Sequence, residues 1–334
     1  MSASIAVIIA TKDRSQEIER HALASLERSE HRGFVCVVWD ASRDDATQRI
    51  VEGGAWSFSL AYLKAPRTGS SSQRNDAVEH VLEHHPTVSY VLFIDDDCEL
   101  SPDALGGILA TFQATSASLV GLPMYPRPGE RIERGGLIAW CRRALGWDRH
   151  GATEFLYNYG SLDEERGAEM EWASGGGMAV DVEIFREGLC FFPEAFQRFG
   201  GYALGEDFAF SCYLHKKLGK RIINSLYGHF LHHPAPGGRP DVAGMAASKW
   251  HNFHLLFEAI YEDVHGPRLL WLRTKFEIFL CAAALKVLVR ARSWDLLSML
   301  RGVRAAQRAL KEHRRGNDIQ TLFQRTAAQG DDRR

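Results

Sequence analysis

The first 95 residues alternate short apolar runs with helical patterns, and this alternation constrains the fold more than any other feature of the chain. The apolar runs are rich in β-branched and aromatic residues, which favours strands that are buried on both faces. Strands separated by helices in this way are typical of a doubly wound, Rossmann-like parallel sheet flanked by helices. The predicted strands are Ile5 to Ile9, Phe34 to Trp39, Leu60 to Leu63 and Tyr90 to Ile94, and the predicted helices are Ser15 to Arg28, Ala46 to Val51 and Gln73 to Leu82.

Polar residues stand at the ends of three of these strands. Thr11 and Lys12 follow the first strand, Asp40 follows the second, and Asp95-Asp96-Asp97 follows the fourth. In a sheet of this kind, ligands bind beyond the carboxyl ends of the strands. The sequence therefore predicts a binding site at this edge of the sheet.

The acidic triplet Asp95-Asp96-Asp97 predicts a metal site. Three adjacent carboxylates repel one another unless a cation or hydrogen-bond donors neutralise them. Hard oxygen ligands suit Mg²⁺ or Mn²⁺, and either ion can bridge the protein to diphosphate oxygens. The structural alternative is an exposed acidic turn or a helix N-cap. We favour the metal site because the triplet directly follows a buried strand that ends at Ile94.

Composition narrows the class of protein. The chain has 334 residues, of which 45% are hydrophobic, so it can bury at least one large core. The formal net charge of −2 gives no overall field that would favour nucleic acid as a partner. The six cysteines form no CxxC pair, so the sequence predicts neither a zinc cluster nor a disulfide framework.

We expect a cytoplasmic protein that is soluble or bound peripherally to the inner face of the cell membrane. The apolar start, Ser4 to Ala10, has no preceding basic region and is typical of a buried strand rather than a signal peptide. The longest apolar run, Phe276 to Val289, contains two charged residues and is shorter than the roughly 20 residues that span a bilayer.

Four short motifs follow one another in the N-terminal part of the chain. They are Thr11-Lys12-Asp13-Arg14, Asp40-Ala41-Ser42, Gly69-Ser70-Ser71-Ser72-Gln73-Arg74-Asn75 and Asp95-Asp96-Asp97. With these motifs the chain resembles the family 2 glycosyltransferases, and the resemblance extends from about Ser4 to Pro236. It implies a GT-A fold, a nucleotide diphosphate sugar as donor, Mg²⁺ or Mn²⁺ as cofactor, and inverting transfer to an acceptor hydroxyl.

The resemblance assigns donor-binding roles to residues near the strand ends. Thr11 and Arg14 would line the nucleoside pocket, and Asp40 would contact the uracil or the ribose. Arg74 would lie near the base and the diphosphate. The implied donor-binding set is Thr11, Arg14, Asp40, Arg74, Asp95 and Asp96.

The sequence departs from the family pattern at the second strand end. The family often has two acids there, whereas Trp39 takes the first of these places and leaves Asp40 as the sole carboxylate. The structural alternatives are a solvated helix start for Arg14 and an N-cap role for Asp40.

The segment from Glu171 to Met178 contains three consecutive glycines, which permit a close approach of the backbone or a positive φ. In the resembling family a similar segment lines the floor of the sugar site; the structural alternative is a tight turn with Trp172 in the core. In the Pro-Gly-rich loop after residue 235, a basic side chain would offset the charge of the leaving group. The predicted donor, sugar or acceptor contacts are Trp172, Gly175, Gly176, Gly177 and Arg239.

Glu206 and Asp207 precede a predicted helix that runs from Phe208 to a terminal Gly219. Acids at this position also interact favourably with the helix dipole, so a capping role alone would explain them. The resemblance implies that Asp207 is the base that deprotonates the acceptor hydroxyl, with Glu206 in support. A carboxylate within hydrogen-bond reach of the hydroxyl can serve in this way.

Three histidines lie close together after the next predicted strand. They are His229, His232 and His233. By resemblance to the family, His232 completes the metal shell with Asp95 and Asp97, and a neutral imidazole is a suitable ligand for Mn²⁺. His229 and His233 stay open as alternatives, as does a solvated histidine-rich turn.

The predicted organisation is a catalytic domain over residues 1–240, with a nucleotide-binding half (1–122) and an acceptor-binding half (123–240). A helical, basic and amphipathic extension over 241–316 and a disordered tail over 317–334 follow. Basic residues interleaved with leucines and aromatics in the extension favour binding to an anionic membrane surface. The alternatives are packing on the catalytic domain or a homo-oligomer interface.

The leading hypothesis is thus a glycosyltransferase that acts on a glycan or lipid-linked glycan in bacterial surface polysaccharide or lipopolysaccharide synthesis. A metal-dependent sugar nucleotidyltransferase is less favoured, because the loop after the first strand has no Gly-rich basic segment. An inactive carbohydrate-binding protein is less favoured because the acidic triplet, the Glu206-Asp207 pair and the histidines are all present.

Overall fold

The structure is a computed structural model that describes residues 5–125, 151–156, 158–159, 166–200, 203–234, 241–290, 296–316 and 319–325, with the backbone alone at 151, 158–159 and 283–290. The strands are β1 (Ile5–Thr11), β2 (Phe34–Asp40), β3 (Ser59–Lys64), β4 (Tyr90–Asp95), β5 (Cys98–Leu100), β6 (Leu119–Gly121), β7 (Met124–Tyr125), β8 (Gly151–Ala152), β9 (Asn158–Tyr159), β10 (Glu169–Met170), β11 (Met178–Asp181), β12 (Ile222–Asn224) and β13 (Phe230–His232).

The helices flank and extend this set of strands. The α-helices are α1 (Ser15–Glu17), α2 (Ala24–Glu27), α3 (Ala46–Gly53), α4 (Ser70–His84), α5 (Ala104–Ala114), α6 (Glu183–Arg186), α7 (Glu206–Lys216), α8 (Val242–Ile260), α9 (Gly266–Arg290) and α10 (Leu296–Gly316). A π-helical segment, Ile18–Leu23, joins α1 to α2, and 3₁₀ segments occur at Gly175–Gly177, Glu194–Phe199 and Ile319–Phe323.

The main sheet has eight strands in the order β10-β12-β6-β11-β4-β1-β2-β3. The pairs from β4 to β3 are parallel, as is β12 with β6, whereas β11 and β10 run antiparallel to their neighbours. The predicted α/β fold with a mostly parallel sheet is therefore confirmed.

Alternate residues of β1 contribute to two different hydrophobic clusters. Ala6 and Ile8 pack on one face of the sheet, whereas Ile5, Val7 and Ile9 pack on the other. Successive strand residues point to opposite faces, so an apolar run of this kind requires cover on both sides. The helices cover both faces of the sheet, and polar side chains lie at the carboxyl ends of the strands, which the helices do not cover.

A small second sheet carries one side of the site. It has the order β5-β13-β7, in which β13 runs antiparallel to β5 and parallel to β7. The register aligns His232 with Cys98 and Phe230 with Leu100. Because β5 begins directly after the acidic triplet, this pairing brings a histidine from a distant part of the sequence beside it.

Side-chain hydrogen bonds order the turn before α5, which begins at Ala104 with Asp103 as its N-cap. The Ser101 hydroxyl donates to Asp103 Oδ1 at 2.6 Å and accepts from the His229 backbone N–H at 2.9 Å. These contacts join the start of α5 to the residue that precedes β13.

The C-terminal helices α8 and α9 share one hydrophobic core with the main sheet. Leu255, Leu272 and Phe276 are buried and belong to the same cluster as Ile8 and Phe93. The predicted helical extension thus packs its apolar inner side on the rest of the chain. Among the described residues, no helix is both long and apolar enough to cross a membrane.

The expectation of a disordered tail from residue 317 is wrong for residues 319–325. Leu322 and Phe323 are buried, and the Phe323 ring stacks on Tyr213 with centroids 4.1 Å apart. The Phe323 carbonyl accepts a hydrogen bond from the Phe191 backbone N–H, and Arg325 forms an ion pair with Asp76 at 2.8 Å. These contacts fasten the segment to the main body.

Candidate active site

The carboxyl ends of β1, β2 and β4 lie side by side. The register aligns Thr11 with Asp40, and it aligns Ala10 with Asp95. Thr11, Asp40 and Asp95 are the last residues of their strands. The prediction that the polar strand ends meet at one edge is therefore confirmed.

The three acids of the triplet have different environments. The Asp95 side chain is 41% exposed, whereas those of Asp96 and Asp97 are buried. Asp96 accepts hydrogen bonds from Thr11 Oγ1 at 2.7 Å and from Arg14 at 3.0 Å. Burial raises the pKa of Asp96 to about 7, although Arg14 and the Thr11 hydroxyl act against this increase. Asp96 therefore holds the loop after β1, and its contact with a donor stays a prediction.

Asp95 and Asp97 fit a divalent metal. Their carboxylate oxygens and the Cys98 sulfur all lie within 4.8 Å of one another. Burial raises the pKa of the Cys98 thiol well above its ordinary value, so the thiol stays protonated and is a poor ligand for a hard cation. His232 Nε2 lies 3.3 Å from Asp97 Oδ1. Two carboxylates and one imidazole thus form a set that suits Mg²⁺ or Mn²⁺.

The other two histidines face elsewhere. His233 contacts Glu99 at 3.0 Å and stacks on His21, with ring centroids 4.1 Å apart. His229 stacks on Tyr125. Successive residues of a strand alternate between its faces, so His232 lies with Cys98 whereas His233 lies with Glu99. Of the three histidines, His232 is the one whose side chain contacts the acidic triplet.

Arg74 joins the acidic triplet to the start of α7. Its guanidinium donates to Asp95 Oδ1 and to Glu206 Oε1, each at 2.7 Å, and it lies 5.3 Å from the centre of the Phe192 ring. Burial lowers the pKa of Arg74, but the charges of Asp95, Glu206 and Asp207 outweigh this effect and raise it overall. Arg74 therefore stays charged inside the protein.

Glu206 is buried in the same cluster. Burial raises its pKa to about 7, and the attraction of Arg74 only partly opposes that increase because Asp95 and Asp207 repel a further negative charge. Arg74 lies 2.7 Å from Glu206 but is shared by three carboxylates, so its attraction does not offset the cost of burying the charged form of Glu206.

Asp207 is fixed by the backbone of the glycine segment. Its Oδ2 accepts a hydrogen bond from the Gly175 N–H at 3.0 Å, and the helix start at Gly205 has a φ of +81° that favours glycine. A Cβ added at Gly175 would lie 3.1 Å from Arg74 Nη2 and 3.3 Å from Asp207 Cβ. Glycine at this position therefore lets the backbone approach both side chains.

The other two glycines are needed for packing. A Cβ added at Gly176 would lie 2.7 Å from Cys98 Sγ, and one added at Gly177 would lie 2.6 Å from the Phe230 ring. All three glycines are buried and their φ values are negative, so close approach explains them and positive φ does not. Their burial does not support the predicted direct contact with a sugar. Trp172 is half-buried and packs on Phe208.

Asp40 is fully buried. It accepts hydrogen bonds from the Ser42 backbone N–H at 2.8 Å, from the Ser42 hydroxyl, and from Tyr62 Oη at 2.9 Å. This arrangement holds the loop after β2 and leaves no exposed carboxylate surface, so contact with a nucleoside stays a prediction. Tyr62 was not recognisable from the sequence, because nothing marks it among the residues of β3.

Gln73 is a further site residue that the sequence reasoning missed. Its side-chain amide donates to the Thr11 and Trp39 carbonyl oxygens, each at 3.0 Å, and so ties the ends of β1 and β2 together. Its place beside Arg74 in the Gly69 to Asn75 motif was the available signal. Arg239, the predicted partner of the leaving group, lies outside the described residues.

The loops after β1 and β2 are also joined to each other. The Asp13 backbone N–H donates to Ser42 Oγ at 2.7 Å, and the Arg43 N–H donates to Asp13 Oδ1 at 3.1 Å. Asp13 has a φ of +55°, which is uncommon for a residue other than glycine. This constrained turn positions Arg14 beside the acidic triplet.

One protein of similar sequence and several solved structures of similar fold are known. The chain is 23% identical over 255 residues to the succinoglycan biosynthesis protein ExoM of Rhizobium meliloti (strain 1021). The aligned region covers 75% of this chain and 72% of ExoM. The fold of the present chain is similar to that of TarS from S. aureus, with a TM-score of 0.52 and 17% identity. The alignment covers 82% of this chain and 42% of the TarS chain.

Two further solved structures share the fold. GalNAc-T7 with UDP, GalNAc and Mn²⁺ has a TM-score of 0.56 and 14% identity over 86% of this chain and 57% of that chain. The Pyrobaculum calidifontis mannosyltransferase PcManGT with GDP-Man and Mn²⁺ has a TM-score of 0.50 and 17% identity over 94% of this chain and 76% of that chain. The chain spans less than two thirds of the TarS and GalNAc-T7 chains.

These neighbours are GT-A glycosyltransferases, and the sheet described above has the same fold. The sequence pattern described as glycosyl transferase family 2 matches residues 6–188. That match covers more than half of the chain, and the protein belongs to glycosyl transferase family 2.

Proposed function

We propose that this protein is an inverting glycosyltransferase that moves a sugar from a nucleotide diphosphate sugar to an acceptor hydroxyl. The observation that carries the proposal is the pair of hydrogen bonds from Arg74 to Asp95 and Glu206. Through Arg74, the acidic triplet on the donor side and the acidic pair on the acceptor side belong to one cluster. A transferase needs both groups within reach of the same anomeric carbon.

Asp95, Asp97 and His232 would hold Mg²⁺ or Mn²⁺. The support is that Asp95 and His232 are partly exposed and that both approach the oxygens of Asp97. When bound, the ion would neutralise charge on the departing nucleoside diphosphate. GalNAc-T7 and PcManGT, which share the fold, were each solved with Mn²⁺.

Asp207 would act as the base. In a single displacement the acceptor attacks from the side opposite the diphosphate, and a carboxylate within hydrogen-bond reach takes the proton of its hydroxyl. The hydrogen bond from the Gly175 N–H keeps the carboxylate in one orientation.

The acceptor would be a glycan or lipid-linked glycan in bacterial surface polysaccharide synthesis. The relative from Rhizobium meliloti is named for succinoglycan biosynthesis. A membrane-bound acceptor would bring the enzyme to the cytoplasmic face of the membrane. In support, α9 carries large apolar side chains in solvent, among them Leu270, Trp271 and Ile278.

A panel of nucleotide sugars tests the proposal. With Mn²⁺ present, at least one UDP- or GDP-sugar should be hydrolysed slowly, and transfer to an oligosaccharide acceptor should give a product whose anomeric configuration, read by NMR, is opposite to that of the donor. Retention of configuration would overturn the inverting mechanism. No turnover of any donor, with or without acceptor, would overturn the proposed activity.

A further inference from the structure

Helices α8, α9 and α10 line a cavity of about 590 Å³ that the proposed reaction does not use. Trp250 and His254 of α8 form part of its wall, together with Gln307 and Leu310 of α10. The wall also carries five Lys or Arg side chains and one carboxylate. These charged residues are Arg273, Glu277, Arg304, Arg308, Lys311 and Arg314.

The basic residues of α10 share one face of that helix. Arg304, Arg308 and Lys311 are separated by four and three residues, which is the spacing of neighbours on a helix surface. Like charges at this spacing destabilise an isolated helix. Arg273 of α9 adds another positive charge to the same cavity. The helices therefore bring together cations that repel one another unless an anion lies between them.

The carboxylates beside the cavity already have partners. Glu277 Oε1 lies 3.1 Å from His254 Nε2, and Glu258 pairs with Arg314. In the part of the chain that the structure describes, no acidic residue forms an ion pair with the other four cations. They are Arg273, Arg304, Arg308 and Lys311. Guanidinium groups in this arrangement are suited to a phosphate, because its oxygens accept several charged hydrogen bonds at once.

The same helices expose large apolar side chains. Leu270 and Trp271 on α9 are 69% and 50% exposed, and Leu297 on α10 is 67% exposed. Ile278, Leu296 and Leu300 are exposed as well. Leu270 lies three residues before Arg273 and Leu300 four before Arg304, so on each helix an exposed apolar side chain neighbours a basic residue of the cavity. A phosphate dissolved in water gives no reason for apolar neighbours of this kind, whereas the surface of a bilayer offers both a headgroup and acyl chains. This combination favours a lipid as the carrier of the phosphate.

We propose that the cavity between α8, α9 and α10 binds the phosphate or diphosphate headgroup of a membrane lipid. The inference deepens the proposed function, because a lipid-linked acceptor presents such a group to the enzyme. It assigns Arg304 and Arg308 to headgroup recognition, separate from the metal and the base.

Vesicle flotation tests the assignment with the full chain. Three kinds of vesicle are compared: phosphatidylcholine alone, phosphatidylcholine with phosphatidic acid, and phosphatidylcholine with phosphatidylglycerol. Phosphatidic acid is a phosphate monoester and phosphatidylglycerol is a diester. The two anionic kinds are adjusted to equal zeta potential. The cavity variant carries Arg304→Gln and Arg308→Gln. The matched control carries Arg301→Gln and Arg315→Gln, which remove two exposed charges from the same helix outside the cavity.

We expect the wild type to bind phosphatidic acid vesicles at least about tenfold more tightly than phosphatidylglycerol vesicles. One nearby Lys or Arg raises affinity for an anionic surface by roughly fivefold, so both variants should bind anionic vesicles more weakly. The cavity variant should lose the preference for the monoester, and the control should keep it. Folding is checked by Mn²⁺-dependent nucleotide binding, which both variants should retain.

Three outcomes would overturn the inference. The first is loss of the preference in both variants alike, which would indicate general charge attraction. The second is that the wild type binds soluble pyrophosphate, the cavity variant does not, and the wild type shows no preference between the two anionic vesicles, which would indicate a dissolved ligand. The third is self-association with no vesicle binding, which would indicate a second copy on the apolar face. Failure of nucleotide binding in the wild type would instead count against the proposed activity and would leave the vesicle result intact.

Discussion

The buried guanidinium of Arg74 donates a 2.7 Å hydrogen bond to Asp95, the first acid of the triplet at the end of β4. Its second donor group reaches Glu206 in the first turn of α7. Residues that are far apart in sequence are thereby held in one cluster.

Replacement of Arg74 by an apolar side chain of similar length should destabilise the fold. Arg74→Met leaves the buried Glu206 carboxyl without its hydrogen-bond donor, and an unsatisfied buried polar group costs about 1–3 kcal/mol. The exposed pair of Arg49 with Asp45 supplies a control, because Arg49→Met should change the free energy of unfolding by less than about 1 kcal/mol. Urea denaturation measures both variants. Equal stability of the two would contradict the role given to Arg74.

The raised pKa of Glu206 makes stability depend on pH. The pKa is about 7 in the folded state against an ordinary 4.5, so the folded protein binds a proton that the unfolded chain has released. Its contribution to stability is therefore full below pH 4.5 and is lost as the pH rises towards 7. Relative to Glu206→Gln, the wild type should lose about 2–3 kcal/mol of unfolding free energy between pH 4.5 and pH 7.5.

Denaturant midpoints at several pH values, in chelator, measure this difference. Glu187→Gln serves as the control, because Glu187 is exposed and its replacement should leave the pH profile of the wild type unchanged. A Glu206→Gln profile parallel to that of the wild type would show that Glu206 is charged across this range.

A methyl group at Gly177 should disturb the packing beneath the site. The added Cβ would lie 2.6 Å from the Phe230 ring and 3.0 Å from Leu122 Cβ, and both side chains are buried. Overpacking of this kind costs about 1–3 kcal/mol. Gly53, at the end of α3, has no atom within 4 Å of an added Cβ, so Gly53→Ala should not destabilise the protein. Thermal unfolding distinguishes the two, and equal midpoints would contradict the packing argument.

The base is tested by Asp207→Asn. The amide oxygen can still accept one of the two backbone N–H groups that bind the carboxylate, those of Gly175 and Phe208, so the fold should persist while the ability to take a proton is lost. We expect kcat to fall at least about 100-fold with little change in donor affinity. If donor affinity falls in proportion to kcat, Asp207 belongs to the donor site and another group is the base.

The strands of the main sheet were predictable because Ile5, Val7 and their neighbours are apolar on both faces. The predicted carboxyl ends of these strands lie one or two residues before the observed ends, because Thr11, Asp40 and Asp95 are polar but still pair with the neighbouring strand. The order of the segment at 319–325 was not recognised, because Ile319, Leu322 and Phe323 are few apolar residues in a polar stretch and their burial depends on tertiary contact.

The site was predictable in its members more than in their contacts. The sequence motifs identified Arg74, Asp95 and Asp207, but the link through Arg74 depends on long-range packing that leaves no local pattern. The different contacts of the three acids, among them the hydrogen bond from Thr11 to Asp96, likewise depend on the tertiary environment. The packing role of the buried glycine segment also depends on tertiary contacts, and its predicted contact with a sugar stays a prediction.

We propose that Asp95 and Asp97 hold a divalent metal for a nucleotide diphosphate sugar. Calorimetric titration of UDP and GDP sugars, with Mn²⁺ or with chelator, tests it on the wild type, on Asp97→Asn and on the exposed control Asp45→Asn. We predict that the wild type and the control bind at least one nucleotide sugar with Mn²⁺ and none in chelator, and that Asp97→Asn loses this binding while its fold persists. Equal binding with Mn²⁺ and in chelator, or full metal-dependent binding by Asp97→Asn, would contradict the claim.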